Sequence, residues 1–479
     1  MADPVIVTRS ARPRGLLALA FAVLVVAGCA GPVKRERPAP AVPERFSGGG
    51  EAAVPDRWWR EFGDPRLNGL IEEALSGNPG LAAVRARLRQ ARAVWERTGA
   101  DAQPNLDLGL SATEGTNVDT EGRSSDATAR SASLTASYEV DLWGRIEAAA
   151  RGEELRYRAS AEAVQTAALT LAAEVARTWY TVVEQHRTLA LIAEQAATAA
   201  DYLKVLRLRF VAGQARTADL LQQKDLLASL RGDRQRAEAI LATARHALAA
   251  LLGRAPADAP DGAEAGLPAL PALPETGLPA GLLRRRPDLR RAQLTLRAAE
   301  EDIAAAVAER FPRLSLTADA TSRRDQWSGL LEEWSRTLVA NLTAPLLDGG
   351  RRRAEVARTR ARADELLADY REAVLEALVE VEDALAQERR QRGYLEQLQE
   401  RVRLGRNVLE RQRDYYRSGG GDFLNVLDAQ RSLQARERET VAARRELIGF
   451  RIALYRALAG GFPEEAGKPK RRLEQATDE

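Results

Sequence analysis

Four short stretches of the chain alternate strictly between apolar and polar residues. Leu106, Leu108, Leu110 and Ala112 are separated by Asp107, Gly109 and Ser111, and Ala132, Leu134, Ala136, Tyr138, Val140 and Leu142 by Ser133, Thr135, Ser137, Glu139 and Asp141. Leu314, Leu316, Ala318 and Ala320 form the third set and Leu338, Ala340, Leu342, Ala344 and Leu346 the fourth, where only Val339 is out of phase. Successive side chains of a strand point to opposite faces, so each stretch predicts a strand with one apolar face. The strands expected at 105–113, 131–142, 313–321 and 337–346 have the roughly 9–12 residues of a tilted membrane-spanning strand. A soluble sheet with one wet face gives the same alternation. Here the runs form two pairs, each followed by a very long helical pattern, with no other sheet partners. Four strands do not close a barrel, and open edges are not tolerated in lipid. A spanning barrel would therefore be shared: two copies give eight strands, three give twelve.

The second pattern has a period of seven. Ala161, Ala168, Val175, Val182, Leu189, Ala196, Leu203 and Phe210 keep it in one half of the chain. Leu367, Val374, Val381, Leu395, Val402, Leu409 and Tyr416 keep it in the other, interrupted by Glu388. A seven-residue apolar repeat specifies left-handed coiled packing of helices. No proline falls between Pro104 and Pro256 or between Pro345 and Pro463, and proline breaks helix interiors. A helix from about Gly144 to Val211 would be roughly 100 Å long, which fits no globular enzyme core.

The two patterns recur in the same order. Asn78-Pro79 matches Arg286-Pro287, Pro104 matches Pro312, Gly144-Arg145 matches Gly350-Arg351, and Gly213 matches Gly419, at offsets of 206 to 208. Such an offset marks an internal repeat. The expected organisation is a first repeat over 66–253, a Pro-rich linker over 254–279, a second repeat over 280–461 and a charged tail over 462–479. Pro104 and Pro312 mark the helix-to-strand changes, and Gly144, Gly349 and Gly350 the strand-to-helix changes, where a tight turn favours glycine.

Composition narrows the chemistry. The 71 Lys and Arg nearly balance 68 Asp and Glu, for a net charge of +3, and a nucleic-acid binder would concentrate its positive charge. One cysteine excludes a disulfide framework and a Cys-based zinc site. His186 and His246, the only histidines, lie in predicted helices as packing or surface residues. No metal, cofactor or catalytic constellation is expected, so the chain is not read as an enzyme. At the N-terminus Arg9, Arg12 and Arg14 precede an apolar run from Gly15 to Ala27. The run is too short to span a bilayer and fits a signal peptide. Its end, Val26-Ala27-Gly28-Cys29, resembles a lipobox. That implies a signal peptide over 1–28, lipid on Cys29 and a tether over 29–65; Ala30 after the cysteine favours outer-membrane sorting by resemblance to enterobacterial lipoproteins.

Five segments carry a wider resemblance. They are SYEVDLWGR at 137–145, LLRRRPDL at 282–289, FPRLSLT at 311–317, PLLDGG at 345–350 and DFLNVLDAQRSL at 422–433. Together with the repeat they resemble TolC-like outer-membrane factors, in the branch of NodT-type efflux lipoproteins. The resemblance implies a mainly α chain with a β membrane segment, a homotrimer with a twelve-stranded barrel, and a twelve-helix coiled-coil tunnel in the periplasm. The tunnel would dock on a periplasmic membrane-fusion adaptor and an inner-membrane pump of the RND type, and the barrel would contact outer-membrane lipid. It implies adaptor-docking tips at Gly213 and at Gly419, Gly420 and Gly421. It also implies a gate in which Leu424 is a plug and Asp428 an acidic ring, beside Asn425. Leu424 and Asp428 are four apart and share a helical face; a core Leu and a solvated Asp remain the plainer reading. The implied function is the exit duct of a tripartite efflux system. A type I secretion duct, a periplasmic adaptor and a structural coiled-coil lipoprotein are the alternatives. An adaptor would carry one hairpin rather than two, and a purely structural lipoprotein would not need the strand pairs.

Overall fold

The computed structural model describes residues 42–51, 54–118, 120–122, 124–263 and 265–458. The expected signal peptide over 1–28, Cys29 and the expected charged tail over 462–479 lie outside them. In chain order the elements are α1 (Pro65–Gly77), α2 (Pro79–Ala100), β1 (Asn105–Val118), β2 (Ser124–Val140), α3 (Arg145–Val211), α4 (Thr217–Leu252), α5 (Pro279–Arg285), α6 (Pro287–Ala308), β3 (Arg313–Arg324), β4 (Ser335–Thr343), α7 (Arg351–Arg417) and α8 (Phe423–Leu458). The repeat is kept to the residue: α2 and α6 have 22 residues each, α3 and α7 have 67, and α4 and α8 have 36.

The four strands form one antiparallel sheet in the order β1-β2-β3-β4. The register puts Leu106 opposite Ala136 and Leu108 opposite Leu134, then Ala136 opposite Ala318 and Ala318 opposite Leu338. Directly paired residues share a face, so the alternating apolar sets gather on one side. The outlines differ from the sequence pattern. β1 and β2 run on past Thr113 and start before Ser131, because Glu114 and Arg130 pair across them at 2.8 Å. β4 stops at Thr343, since Pro345 offers no N–H to a ladder. Leu346 and Leu347 are left 90% and 99% exposed in the turn before α7.

Each long helix is flanked by two shorter ones laid end to end. The amide of Asn78 shows how the first joint is made. Its oxygen accepts the N–H of Leu81 at 2.9 Å, capping α2, while its Nδ2 donates to the carbonyl of Leu251 at 2.8 Å in the last turn of α4. In the second half Arg286 takes that position. Its Nη1 donates to the carbonyl of Ala457 at 3.2 Å, near the end of α8, and to Glu380 of α7 at 2.8 Å. Two bonds to Asp288, at 3.1 and 2.6 Å, complete the cluster. The sheet end is joined across the halves as well. The Trp143 ring stacks on Phe311 at 4.8 Å and donates to the carbonyl of Pro312 at 2.7 Å.

The expected tether and the Pro-rich linker are both packed. The tether expected over 29–65 is docked where it is described. Trp58, Trp59 and Phe62 are buried, Trp58 stacks on Tyr455 of α8, and Asp64 caps α1 while accepting from Trp179 at 2.7 Å. Ser47 donates its N–H to Glu382 of α7 at 2.9 Å. Aromatic burial outweighs the flexibility that the surrounding Pro and Gly suggest. The 254–279 linker is held by arginines: the Pro271 and Ala272 carbonyls accept from Arg451 at 2.6 and 2.9 Å. Arg451 is 0% exposed and makes a two-pronged bond with Glu388, at 2.8 and 2.6 Å. The apolar repeat of α7 breaks at Glu388 because a buried guanidinium from α8 sits against it.

Candidate functional site

At the end of the hairpins away from the sheet, two turns lie side by side. After α3, Gly213 takes φ +72°, and Gln214 donates its N–H to the Arg209 carbonyl at 2.8 Å. After α7, Gly419 takes φ +82°, a backbone region that costs other residues energy. The next two glycines answer to a side chain. A Cβ on Gly420 would stand 2.4 Å from the Tyr415 ring and one on Gly421 2.8 Å from it. The triple glycine lets the turn fold over Tyr415.

The turns are tied to each other. Arg216, at the start of α4, donates to Asp422 at the start of α8, and to Asp219 at 3.3 Å. The Leu424 N–H and this guanidinium hold the Asp422 carboxyl below the ordinary aspartate range. Further along, Arg431 of α8 donates to Asp225 of α4 at 2.8 Å. Both ties join residues 206 apart, so equivalent positions of the two repeats meet. Beneath them Leu206, Leu226, Leu230, Leu409, Phe423 and Leu427 form a common core. Sequence reasoning missed Arg216, Asp422, Arg431 and Asp225. The repeat offset was a usable signal, since opposite charges fall at matching positions.

Leu424, Asn425 and Asp428 occupy the exposed side of α8, opposite buried Phe423, Val426 and Leu427. Leu424 is 39% exposed. No element of this chain covers that face among the described residues, and Asn425 and Asp428 line a groove between α7 and α8 with Leu404, Val408 and Arg436. Within this chain Leu424 is therefore not a buried residue. Pro104 and Pro312 immediately precede β1 and β3, and Gly144, Gly349 and Gly350 take positive φ before α3 and α7. His186 Nε2 lies 2.8 Å from an Asp261 oxygen in the linker, and His246 is exposed.

A four-stranded apolar-faced sheet carrying two equal helical hairpins, with a tied pair of turns at the far end, defines an outer-membrane channel subunit. The chain belongs to the outer membrane efflux protein family, which matches at residues 70–254 and 278–460. It is 34% identical over 436 residues to the pyoverdine export outer membrane protein OpmQ of Pseudomonas aeruginosa, covering 88% of this chain and 91% of that protein. The probable outer membrane lipoprotein SilC of Salmonella typhimurium is 28% identical, covering 92% of this chain and 98% of SilC. Among solved structures, the outer-membrane channel OprN superposes with a TM-score of 0.82 at 28% identity, over 90% of this chain and 99% of that one. These relatives are channel and transport proteins, and the chain is an outer-membrane efflux channel component.

Proposed function

We propose that three copies assemble into an exit duct whose twelve strands span the outer membrane and whose helices form a periplasmic tunnel. The observation that carries this is the sheet. β1 and β4 each leave one edge unpaired among the described residues, while every leucine of the strands lies on one face. Unpaired edges are untenable in lipid and are removed by closure. The free face of α7 supports the same reading. Leu375, Val379, Leu404, Val408 and Tyr415 are exposed and fall within about 60° of arc at 3.6 residues per turn, a stripe suited to a neighbouring copy. Cys29 would carry the lipid anchor. The turns at Gly213 and at Gly419, Gly420 and Gly421 would receive a periplasmic adaptor, beneath an inner-membrane pump of the RND type. Leu424 and Asp428, beside Asn425, would form the resting constriction.

Mass measurement in detergent tests the assembly. Wild type is expected as a trimer and the Leu404→Glu, Val408→Glu double variant as monomer with unchanged helix content; monomeric wild type would end the shared-barrel reading. Planar-bilayer conductance tests the gate: replacing Leu424 and Asp428 by Ala should raise resting conductance and weaken cation preference. Unchanged conductance removes these residues as the gate and leaves the duct intact.

A further inference from the structure

Arginines stand on the apolar face of the sheet, at one end only. The register lays out that face in rows. Val140, Leu314 and Leu342 form the row nearest the helices, followed by Tyr138, Leu316 and Ala340, and then Leu106, Ala136, Ala318 and Leu338. Next come Leu108, Leu134 and Ala320 with Arg336, then Leu110, Ala132 and Ser322, then Ala112 with Arg130 and Arg324. From Val140 to Ala132 the rows cover about 26 Å along β2 at 3.3 Å per residue, close to the apolar band of a membrane barrel.

Arg130 and Arg324 are direct cross-strand partners. Like charges so placed repel and destabilise a sheet. Glu114 and Glu333 take one Nη2 each, at 2.8 and 2.6 Å. The Nε and Nη1 of Arg130 remain buried without an acceptor, and Arg336 is exposed with no ion pair among the described residues. Above them the 325–334 loop presents Trp327, with the Arg130 guanidinium 5.6 Å from its ring centre, and Trp334.

We propose that Arg130, Arg324 and Arg336, roofed by Trp327, bind the phosphate-bearing headgroup of a glycolipid in the leaflet facing away from the helices. This rests on the barrel reading above. A guanidinium presents a planar fork of donors that fits phosphate oxygens, and an anion between Arg130 and Arg324 removes their repulsion. The tryptophans stand where aromatic girdles mark a membrane boundary. The leucine rows below would hold acyl chains, which selects a lipid over free phosphate. Arg323, next in sequence, pairs with Ser131 on the opposite face and takes no part.

The test uses the purified full-length trimer in detergent and native mass spectrometry, with lipid A, dephosphorylated lipid A and inorganic phosphate as probes. Lipid A should bind about tenfold or more tighter than its dephosphorylated form, the equivalent of at least one charge-assisted contact. Inorganic phosphate should not displace it at equal concentration. The Arg130→Gln, Arg324→Gln, Arg336→Gln variant should lose the preference, and Arg323→Gln should keep it. Equal binding of the two lipids by wild type overturns the proposal without recourse to any variant. So does a triple variant that assembles and still prefers lipid A. Recovery of wild type as a monomer fails the barrel reading instead, and is seen before any lipid is added.

Discussion

The two long hairpins have the same lengths and the same ends, yet α3 and α7 are built from different material. Of 67 residues, α3 carries 17 charged ones and buries 23 residues; α7 carries 30 charged ones and buries 15. The contacts explain the difference. α3 packs against α1, α2, α4, α6 and α8, whereas α7 packs against α6, α8 and the short α5. A duplicated backbone has come to hold a central and a peripheral helix, and composition follows the number of neighbours rather than the length. The joints differ in the same direction. A neutral amide, Asn78, links helix ends in the first half, and a cluster of three charged groups, Arg286, Asp288 and Glu380, does so in the second.

The largest test of this contrast is the buried pair that fastens α7 to α8 and the linker. Arg451→Ala should cost about 3 kcal/mol, because it leaves the buried Glu388 carboxylate with only the half-exposed Arg392, at 2.9 Å, as counter-charge. The double change Glu388→Met, Arg451→Met should recover most of that loss in a denaturant midpoint. The joints come next. Asn78→Ala removes an N-cap and should cost about 1 kcal/mol, and Arg286→Ala should cost more, since it leaves Asp288 and Glu380 without their shared cation. An equal shift of both midpoints would show that the two joints are energetically alike.

Acid should separate the joints further. Burial works against the Asp288 carboxylate, yet the Arg286 guanidinium and the Leu289 N–H hold its pKa below the ordinary aspartate value. A depressed carboxyl contributes stability above its unfolded pKa and loses it as pH falls through the folded one. The second joint should therefore stay closed at pH 5 and loosen only below the ordinary aspartate range. The first, with no titrating group in the Asn78 bonds, should not respond. Hydrogen exchange at the ends of α8 and α4 across that pH range makes the comparison, and Asp288→Asn should abolish the difference. The effect at the turns is local. Gly213→Ala and Gly419→Ala should each cost about 1–2 kcal/mol for a left-handed backbone, measured as proteolytic nicking at the tips.

Regular patterns were readable and long-range partners were not. The leucines of β1 and β3 announce their face because a strand has a period of two, and the α3 apolar positions announce theirs because a coiled helix has a period of seven. Glu388 was visible only as a fault in that period; the residue that explains it, Arg451, lies 63 positions away. Trp58 and Trp59 sit in a stretch whose Pro and Gly read as a tether, and their partners Tyr455 and Asp64-capped α1 are fixed only by folding. At the tips, Leu424 and Asp428 take their expected role only from the resemblance; periodicity alone does not show the exposed face on which they lie, since a leucine one turn from an aspartate suits a core edge equally well.

The identical lengths of α3 and α7 make the chain a ruler. One residue inserted into either helix would advance its tip by about 1.5 Å and rotate everything beyond it by about 100°, pulling Arg216 from Asp422 and Arg431 from Asp225. Seven residues leave only about 20° of drift, so lengthening is tolerable in whole heptads, and only if both halves and their return helices change together. Insertions and deletions in these helices should then be rare singly and correlated when they occur. The gap between the membrane and whatever meets the tips is thereby fixed in steps of about 10 Å.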